Sequence, residues 1–445
     1  MEKLYWSKRN YLFKSEKYGW LLYAGLSNSF FKLSDELKKA IDDYKQGKEL
    51  NIPQDVLAKF QKTGVLSKYT DEEFDRLYLL KWTKMQAQND YMNLTIAPTM
   101  NCNFRCSYCF EKNFRNTKMM DLSLTQNIID FANKRKVKRL NVAWYGGEPL
   151  LGLDFIKHFN HETYEAGFDV SQSIVTNGYL LTEEVVKYFD FIWLKNIQIT
   201  LDGNKETHNR RRPHVDNPDS FGRIMDNLEM LYTYCNFNGY WPNVNIRVNI
   251  DKTNEDDYPK IKNMLYKKYG TFFNVYYAFI HDSNSCVDKS EVIINTENEK
   301  DYKEKLDKKY CIDDETFYPT QFGNCFCGAQ ILNNYVIDAE GLMYKCWEDI
   351  GIKEKAIYNL NERQFNNVLR EADFIIKTQA IFDENCKNCF MFISCQGGWS
   401  DTIKVQYLNC RKTKEYCNEK VRSKFQGRGI KALRRHWNQE GLRTA

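Results

Sequence analysis

The sequence predicts an α/β protein built on an open or partial barrel of six strand–helix units, with a small α+β unit before it and a cysteine-rich segment after it. Three observations carry that prediction. From residue 91, short β-rich runs alternate with longer amphipathic ones, as in βαβ units and a parallel sheet. The loop stretches "CNFRCSYC", "GGEP", "TNG" and "LDG" each follow a candidate strand, at the strand ends where such barrels carry their chemistry. Finally, nine of the fourteen cysteines lie at or after Cys311, where the periodicity weakens.

In order along the 445 residues, the first unit covers 1–85. "YLFKSEKYGWLLYAG" predicts two strands about a turn at Lys17–Gly19. A helix enters at Ser34 or Asp35 and stops at Gly47; a second starts near Pro53 and ends at Gly64. "TDEEFDRLYLLKWTKMQAQ" predicts a third, with acidic residues in its first turn. Strands followed by three helices suggest a winged-helix-like module; the plainer alternative is an N-terminal part of the main domain. The barrel is expected over 91–290, with strands in "MNLTIAP", "LNVAWYG", "SQSIVTN", "IQITLDG", "VNIRVNI" and "NVYYAFI". The cysteine-rich domain is expected over 300–425. A basic tail at 426–445 reads as a solvated helix or a partner-binding end. No internal repeat or low-complexity tract interrupts this order.

Composition narrows the function classes. A net charge of +5 over this length is not a nucleic-acid footprint. The aromatic share of 15% supplies core and suits a peptide groove as well. There is no signal-peptide h-region and no run near the roughly 18 apolar residues of a membrane span. A cytoplasmic protein is expected, where thiols stay reduced, so fourteen cysteines argue for metal over disulfides.

Cys102, Cys106 and Cys109 form CxxxCxxC after the first barrel strand. A [4Fe–4S] cube needs four ligands, so three thiolates leave one iron open to a small molecule. A structural zinc site would want a fourth Cys or His nearby, and the next histidine, His158, is far along the chain.

With Tyr108 before its third cysteine, this motif resembles the signature of the radical SAM superfamily, and the resemblance spans roughly residues 91–290. It implies that S-adenosylmethionine chelates the open iron and is cleaved to a 5′-deoxyadenosyl radical, with an external flavodoxin- or ferredoxin-like electron donor. "YGGEP" matches the family's GGE motif, so Gly146, Gly147 and Glu148 are expected at the cofactor's amino group. Two glycines let backbone approach closely, and Glu148 can accept a charge-assisted hydrogen bond. "TNG" (Thr176, Asn177) and "TLDG" (Asp202) match the third and fourth strand ends, and "RVNI" brings Arg247 and Asn249 towards the same cavity.

The C-terminal cysteines resemble the SPASM extension, which binds two auxiliary [4Fe–4S] clusters and would bring the total to three. Cys327, then Gly341 and Cys346, then Cys386, Cys389 and Cys395 follow its spacing. The pattern breaks at Trp399, where a thiolate is expected. Cys417 fits the last ligand of the second cluster; either Cys410 replaces the missing ligand or that cluster has an open iron. Cys325 or Cys311 is the further upstream ligand, Cys325 being preferred. Cys235 and Cys286 read as buried structural thiols. Glu348 and Asp349, just after Cys346, read as exposed loop carboxylates or as an acid/base pair.

SPASM proteins with a small N-terminal winged-helix unit are commonly maturases of ribosomally made peptides. The resemblance therefore implies a precursor peptide whose leader binds residues 1–85 by strand addition and which receives a thioether or carbon–carbon crosslink. Two alternatives stay open: an anaerobic sulfatase maturase that makes formylglycine, and a non-catalytic zinc-binding peptide adaptor. No nucleic-acid or membrane partner is expected.

Overall fold

The computed structural model describes residues 3–15, 18–27, 29–86, 90–280, 302, 305–306, 309–310, 327–377, 380–390 and 392–395. They fall into two compact units. One holds the described residues within Met1–Gln86, Asp313–Gln330 and Ile375–Ala445; the other holds those within Ala87–Ile312 and Ile331–Phe374. The segment expected as one cysteine-rich domain over 300–425 thus contributes to both.

In the first unit, β1 (Tyr5–Trp6) pairs antiparallel with β5 (Leu66–Ser67). The strands β2 (Asn10–Ser15), β3 (Gly19–Ala24) and β4 (Ser29–Leu33) form an antiparallel sheet in that order. Helices α1 (Asp35–Lys45), α2 (Gln54–Lys62) and α3 (Asp71–Gln86) follow. Ser34 caps α1, its hydroxyl accepting from Leu37 N at 3.2 Å; Asp35 and Glu36 in the first turn favour the same start. Strand alternation splits the sheet's side chains. Leu22, Ala24 and Leu33 pack with Ile41 and Phe60 from α1 and α2, while Phe13, Leu21 and Tyr23 belong to a separate apolar cluster.

In the second unit, six parallel strands stand in sequence order: β6 (Tyr91–Ile96), β7 (Arg139–Trp144), β8 (Asp169–Thr176), β9 (Asn196–Thr200), β10 (Asn243–Ile250) and β11 (Phe273–Phe279). Between them run α4 (Leu124–Lys134), α5 (Leu153–Glu165), α6 (Glu183–Phe191), α7 (Lys205–Arg211), α8 (Ser220–Asn238) and α9 (Asp257–Tyr269). Sequential order is that of a barrel wall, and among the described residues β11 pairs only with β10. One face buries the core: Leu140, Val142 and Trp144 of β7 pack with Phe155 and Phe159 of α5, the Trp144 and Phe159 rings standing edge-on at 5.3 Å. Truncating such a ring costs about 3–5 kcal/mol. The other face is polar. Asn141 bonds Asn93 at 2.9 Å, Asn274 bonds Asn245 at 2.8 Å, and Tyr276 bonds Gln198 at 2.8 Å. Parallel strands buried on both faces would be apolar throughout; this alternation is that of a sheet with one apolar and one polar face.

The sheet does not end at six strands. On the free side of β6, β12 (Asn334–Ile337) adds in parallel, pairing Tyr335 with Leu94 and Ile337 with Ile96. β13 (Leu342–Tyr344), β14 (Tyr358–Asn359) and β15 (Gln364–Phe365) continue antiparallel. Gly341 stands in the β12–β13 turn, donating to Asp338 O at 3.0 Å. Among the described residues no helix is long and apolar enough to cross a membrane.

Candidate active site

The loop after β6 carries Cys102, Cys106 and Cys109, all partly buried and none in a disulfide. Two other segments clip it in place. On one side Arg105 N donates to Pro213 O at 2.8 Å, Ser107 N to Arg211 O at 3.1 Å, and Val215 N to Asn103 O at 3.0 Å. On the other, the turn after β7 closes on it: Glu148 N donates to Asn101 O at 2.9 Å and Gly147 N to Thr99 O at 3.2 Å. A Cβ on Gly147 would meet Asn101 O at 2.1 Å. The close approach that demands glycine here is therefore to the cysteine loop itself.

Glu148 is fully buried. Its carboxylate accepts from Leu150 N at 3.1 Å, Thr176 Oγ1 at 2.7 Å and Asn177 N at 2.8 Å. Burial pushes its ionisation upward, and these donors oppose that. The side chain thus ties the end of β7 to the end of β8. Asn177 extends the tie, its amide donating to Asn103 Oδ1 at 2.7 Å inside the cysteine loop.

Tyr108, Asp202, Arg247 and Asn249 form a second connected group. Tyr108 donates to Asp202 and accepts from Arg212 Nη1 at 2.7 Å and Asn249 Nδ2 at 3.1 Å. Arg247 Nε donates to Asn249 Oδ1 at 2.8 Å. Burial holds the Tyr108 phenol protonated far above its usual range. Asp202 is fully buried, with Arg211 Nε 3.5 Å away; Arg211 also pairs with Asp251 at 2.6 Å.

Arg211, Arg212 and His208 were not singled out by sequence reading. The run "THNRRRPH" after the fourth strand was the available signal: three arginines at the end of the helix α7 that follows that strand. His208 is fully buried and accepts from Asp202 N at 3.3 Å through Nδ1. Burial, then Arg212 and Arg211, drive its ionisation well below the usual histidine range, so it stays a neutral, fixed acceptor.

The donor set bears on which metal group fits. Burial pushes the Cys102 thiol up to about 12 and raises Cys106 as well, so both sulfurs want a cationic partner before they ionise. Among the described residues no three His, Cys, Asp or Glu side chains gather tightly enough to hold one ion. A zinc ion draws its ligands to one point, whereas a cube takes each thiolate at a separate corner. Two buried polar atoms here have no hydrogen-bond partner: Asn103 Nδ2 within the cysteine loop and Glu111 Oε1 two residues after Cys109. The residues present fit a cluster with a polar ligand beside it.

Residues 96–265 match the model of the radical SAM superfamily. The chain carries a radical SAM domain. It is 27% identical over 373 residues to a cysteine-type anaerobic sulfatase-maturating enzyme of Clostridium novyi, covering 75% of this chain and 94% of that protein. It is 21% identical over 427 residues to the radical SAM cyclopropyl synthase TigE of Paramaledivibacter caminithermalis, covering 86% and 85%. Solved structures agree on the fold. Native anSMEcpe with bound AdoMet and Kp18Cys peptide superposes with a TM-score of 0.55 at 20% identity, over 69% of this chain and 88% of that one. Streptococcus suis SuiB bound to S-adenosylmethionine does so at 0.50 and 15%, over 89% and 93%. Through this domain the protein is a radical SAM enzyme, and the family implies a [4Fe–4S] cluster and S-adenosylmethionine.

Of the C-terminal cysteines, Cys327 precedes the turn Gly328–Gln330 in the first unit, and Cys346 follows β13 in the second. Cys386 and Cys389 are half-buried in the first unit; Asp383 caps the helical turn Glu384–Lys387, accepting from Cys386 N at 2.7 Å. Cys395 ends the turn Phe392–Cys395. Cys286, Cys311, Cys325, Trp399, Cys410 and Cys417 lie outside the described residues. Asp349 is neither an exposed loop carboxylate nor a free acid: it is fully buried and paired with Lys355 at 2.9 Å and Arg370 at 2.5 Å. It anchors the segment after Cys346.

Proposed function

We propose that this radical SAM enzyme modifies a ribosomally made precursor peptide, installing a thioether or carbon–carbon crosslink. One observation carries the reading: how far the likenesses extend. The cyclopropyl synthase covers 86% of this chain and SuiB 89%, against 75% and 69% for the sulfatase-maturating enzymes. The extra coverage needs a counterpart for the N-terminal unit, which a barrel and its cluster chemistry do not require. Within that unit the outer edges of β2 and β4 are unpaired among the described residues. Either can take an extended leader as an added strand, which holds the core peptide near the radical at high effective concentration.

Cys102, Cys106 and Cys109 would hold the cluster, and the polar groups at the ends of β7 to β10 would hold S-adenosylmethionine. When bound, the pair supplies a carbon radical that takes a hydrogen atom from an unactivated peptide carbon. The chain's own contribution is positional. Glu148 and Asn177 hold the loop, while Tyr108, Asp202, Arg212 and Asn249 form a rigid, pre-organised polar wall. In this reading the C-terminal cysteines bind two auxiliary clusters, and a flavodoxin- or ferredoxin-like protein supplies the electron. A second reading, formylglycine formation, has the relative at 27% identity in its favour.

The test is an anaerobic reaction of the reconstituted full chain with two kinds of substrate: each short peptide found encoded in the neighbouring reading frames, and a cysteine-containing sulfatase peptide. A crosslink appears as loss of two hydrogens with sulfur retained. Replacement of sulfur by an aldehyde oxygen in the sulfatase peptide, with the precursor untouched, would transfer the assignment to the second reading.

A further inference from the structure

We infer that the N-terminal three-stranded sheet is a mount for the Cys386-x-x-Cys389 segment, so that Arg9, Tyr11 and Gly25 position an auxiliary cluster from nearly four hundred residues away in sequence. The inference rests on the reading that these C-terminal cysteines bind iron–sulfur. All the residues involved belong to the first unit.

The sheet face turned away from α1 and α2 is covered by the residues that follow Cys389. Phe390 lies flat on Tyr11, ring centroids 4.6 Å apart at 15°, and stands edge-on to Tyr23 at 5.8 Å. Phe13, Leu21, Tyr23 and Phe390 bury one another, with Cys389 packed against them. The backbone is held as closely as the rings. Gly25, next after β3, donates to Arg9 O at 3.0 Å, and a Cβ on it would meet Phe390 O at 2.1 Å. No side chain fits there unless the cysteine segment moves.

Arg9 fixes the other flank. It is fully buried, its Nη2 donates to Asp75 Oδ1 at 2.7 Å, and its guanidinium stands over Phe74 at 5.6 Å and Phe392 at 5.2 Å. Phe392 packs in turn on Tyr78 at 4.8 Å. Cys386 and Cys389 both line this second apolar cluster, built from Ile381, Phe392 and Ile393 with Phe74 and Tyr78 of α3. Cys389 thus touches both apolar clusters and Cys386 the second, and residues of β2, β3 and α3 build them together with the cysteine segment. A leader added to this sheet would be read at the cluster through the same strands.

The test uses the full chain with Cys102, Cys106 and Cys109 changed to Ala, so that remaining iron belongs to the auxiliary sites. Onto it are placed Gly25→Val, Tyr11→Ala, Arg9→Met and Arg9→Lys, with Cys389→Ala as the reference. Iron content and paramagnetic resonance of the reduced clusters are read, with far-ultraviolet dichroism to confirm folding. Gly25→Val and Arg9→Met are expected to reproduce the altered spectrum of Cys389→Ala, with loss of up to one cube, roughly four irons. Tyr11→Ala, which leaves the backbone free to fold, should shift the same signal, and Arg9→Lys should restore part of it. Folded Tyr11→Ala and Arg9→Met with an unaltered spectrum would overturn the mount. If Cys389→Ala itself leaves iron and spectrum intact, the iron–sulfur reading of these cysteines has failed, and the mount falls with it.

Discussion

Two of the described cysteine-bearing segments are held by opposite means. The Cys102–Cys109 loop sits in a cage of buried charge: Glu148, Asp202, Arg211 and Arg212 lie within a web of hydrogen bonds to Tyr108, Asn177 and Asn249. The Cys386–Cys389 segment is held chiefly by rings among the described residues, with Arg9 and Asp75 a buried charged anchor. On the function proposed above, the difference follows from what each would have to do. A site that binds a zwitterionic cofactor needs fixed dipoles and charges, pre-organised at the strand ends. A segment that only has to keep a metal group in place is served by packing, which is non-directional and excludes water.

The sharpest break in this comparison comes from the thiols. Changing Cys102, Cys106 and Cys109 together to Ala should abolish 5′-deoxyadenosine formation and remove one cube, roughly four irons, while leaving the remaining clusters; iron analysis and chromatography of the reaction check both parts. Next is the charge in the cage. Asp202→Ala removes the buried carboxylate to which Tyr108 donates, leaving Arg211 with Asp251 and Arg212 on the Tyr108 hydroxyl, and should cost about 3–5 kcal/mol, measured by denaturant unfolding. Arg9→Met should cost a similar amount, since it leaves Asp75 buried beside Lys8 alone. If Arg9→Met were nearly neutral while Asp202→Ala was not, the aromatic clusters alone would suffice for the second segment. Gly147→Ala should lower cofactor cleavage more than stability, with about 1–3 kcal/mol of overpacking against Asn101; an unchanged cleavage rate would mean the turn can yield. The smallest effect is expected for Thr176→Val, which removes one of three donors to Glu148 at about 1–3 kcal/mol. A melting curve matching the parent would show that the carboxylate is satisfied without it.

Much of this was legible in the sequence. The six barrel strands lie within a few residues of their expected places, because short β-rich runs between longer amphipathic ones betray a parallel sheet of βαβ units. The motif loops fall at the C-terminal ends of those strands for the same reason. What escaped was anything decided by distant pairing. Glycine at 147 suggested a close approach, and nothing local says that the neighbour is Asn101. Arg212 reaches Tyr108 across more than a hundred residues. "NNYVI" is too short a β-rich run to announce a strand, and becomes one only because β6 offers it an edge. Gly25 and Phe390 carry no shared motif, so their contact is invisible without the fold.

The pairing of β6 with β12 has a consequence for how the protein is made. β6 gains β7 soon after synthesis, but its other edge waits until residue 337 has been added. At bacterial and eukaryotic translation rates of about 5–20 residues per second, that is a delay on the order of 10–50 s. For that time the strand beside the cysteine loop shows a row of unpaired amides and carbonyls, a template for pairing with another nascent chain. A fragment cut where the family match stops, at residue 265, keeps that edge for good. Expression should therefore run past the fourth strand of the C-terminal hairpins, and conditions that slow elongation should favour aggregation before iron can be loaded.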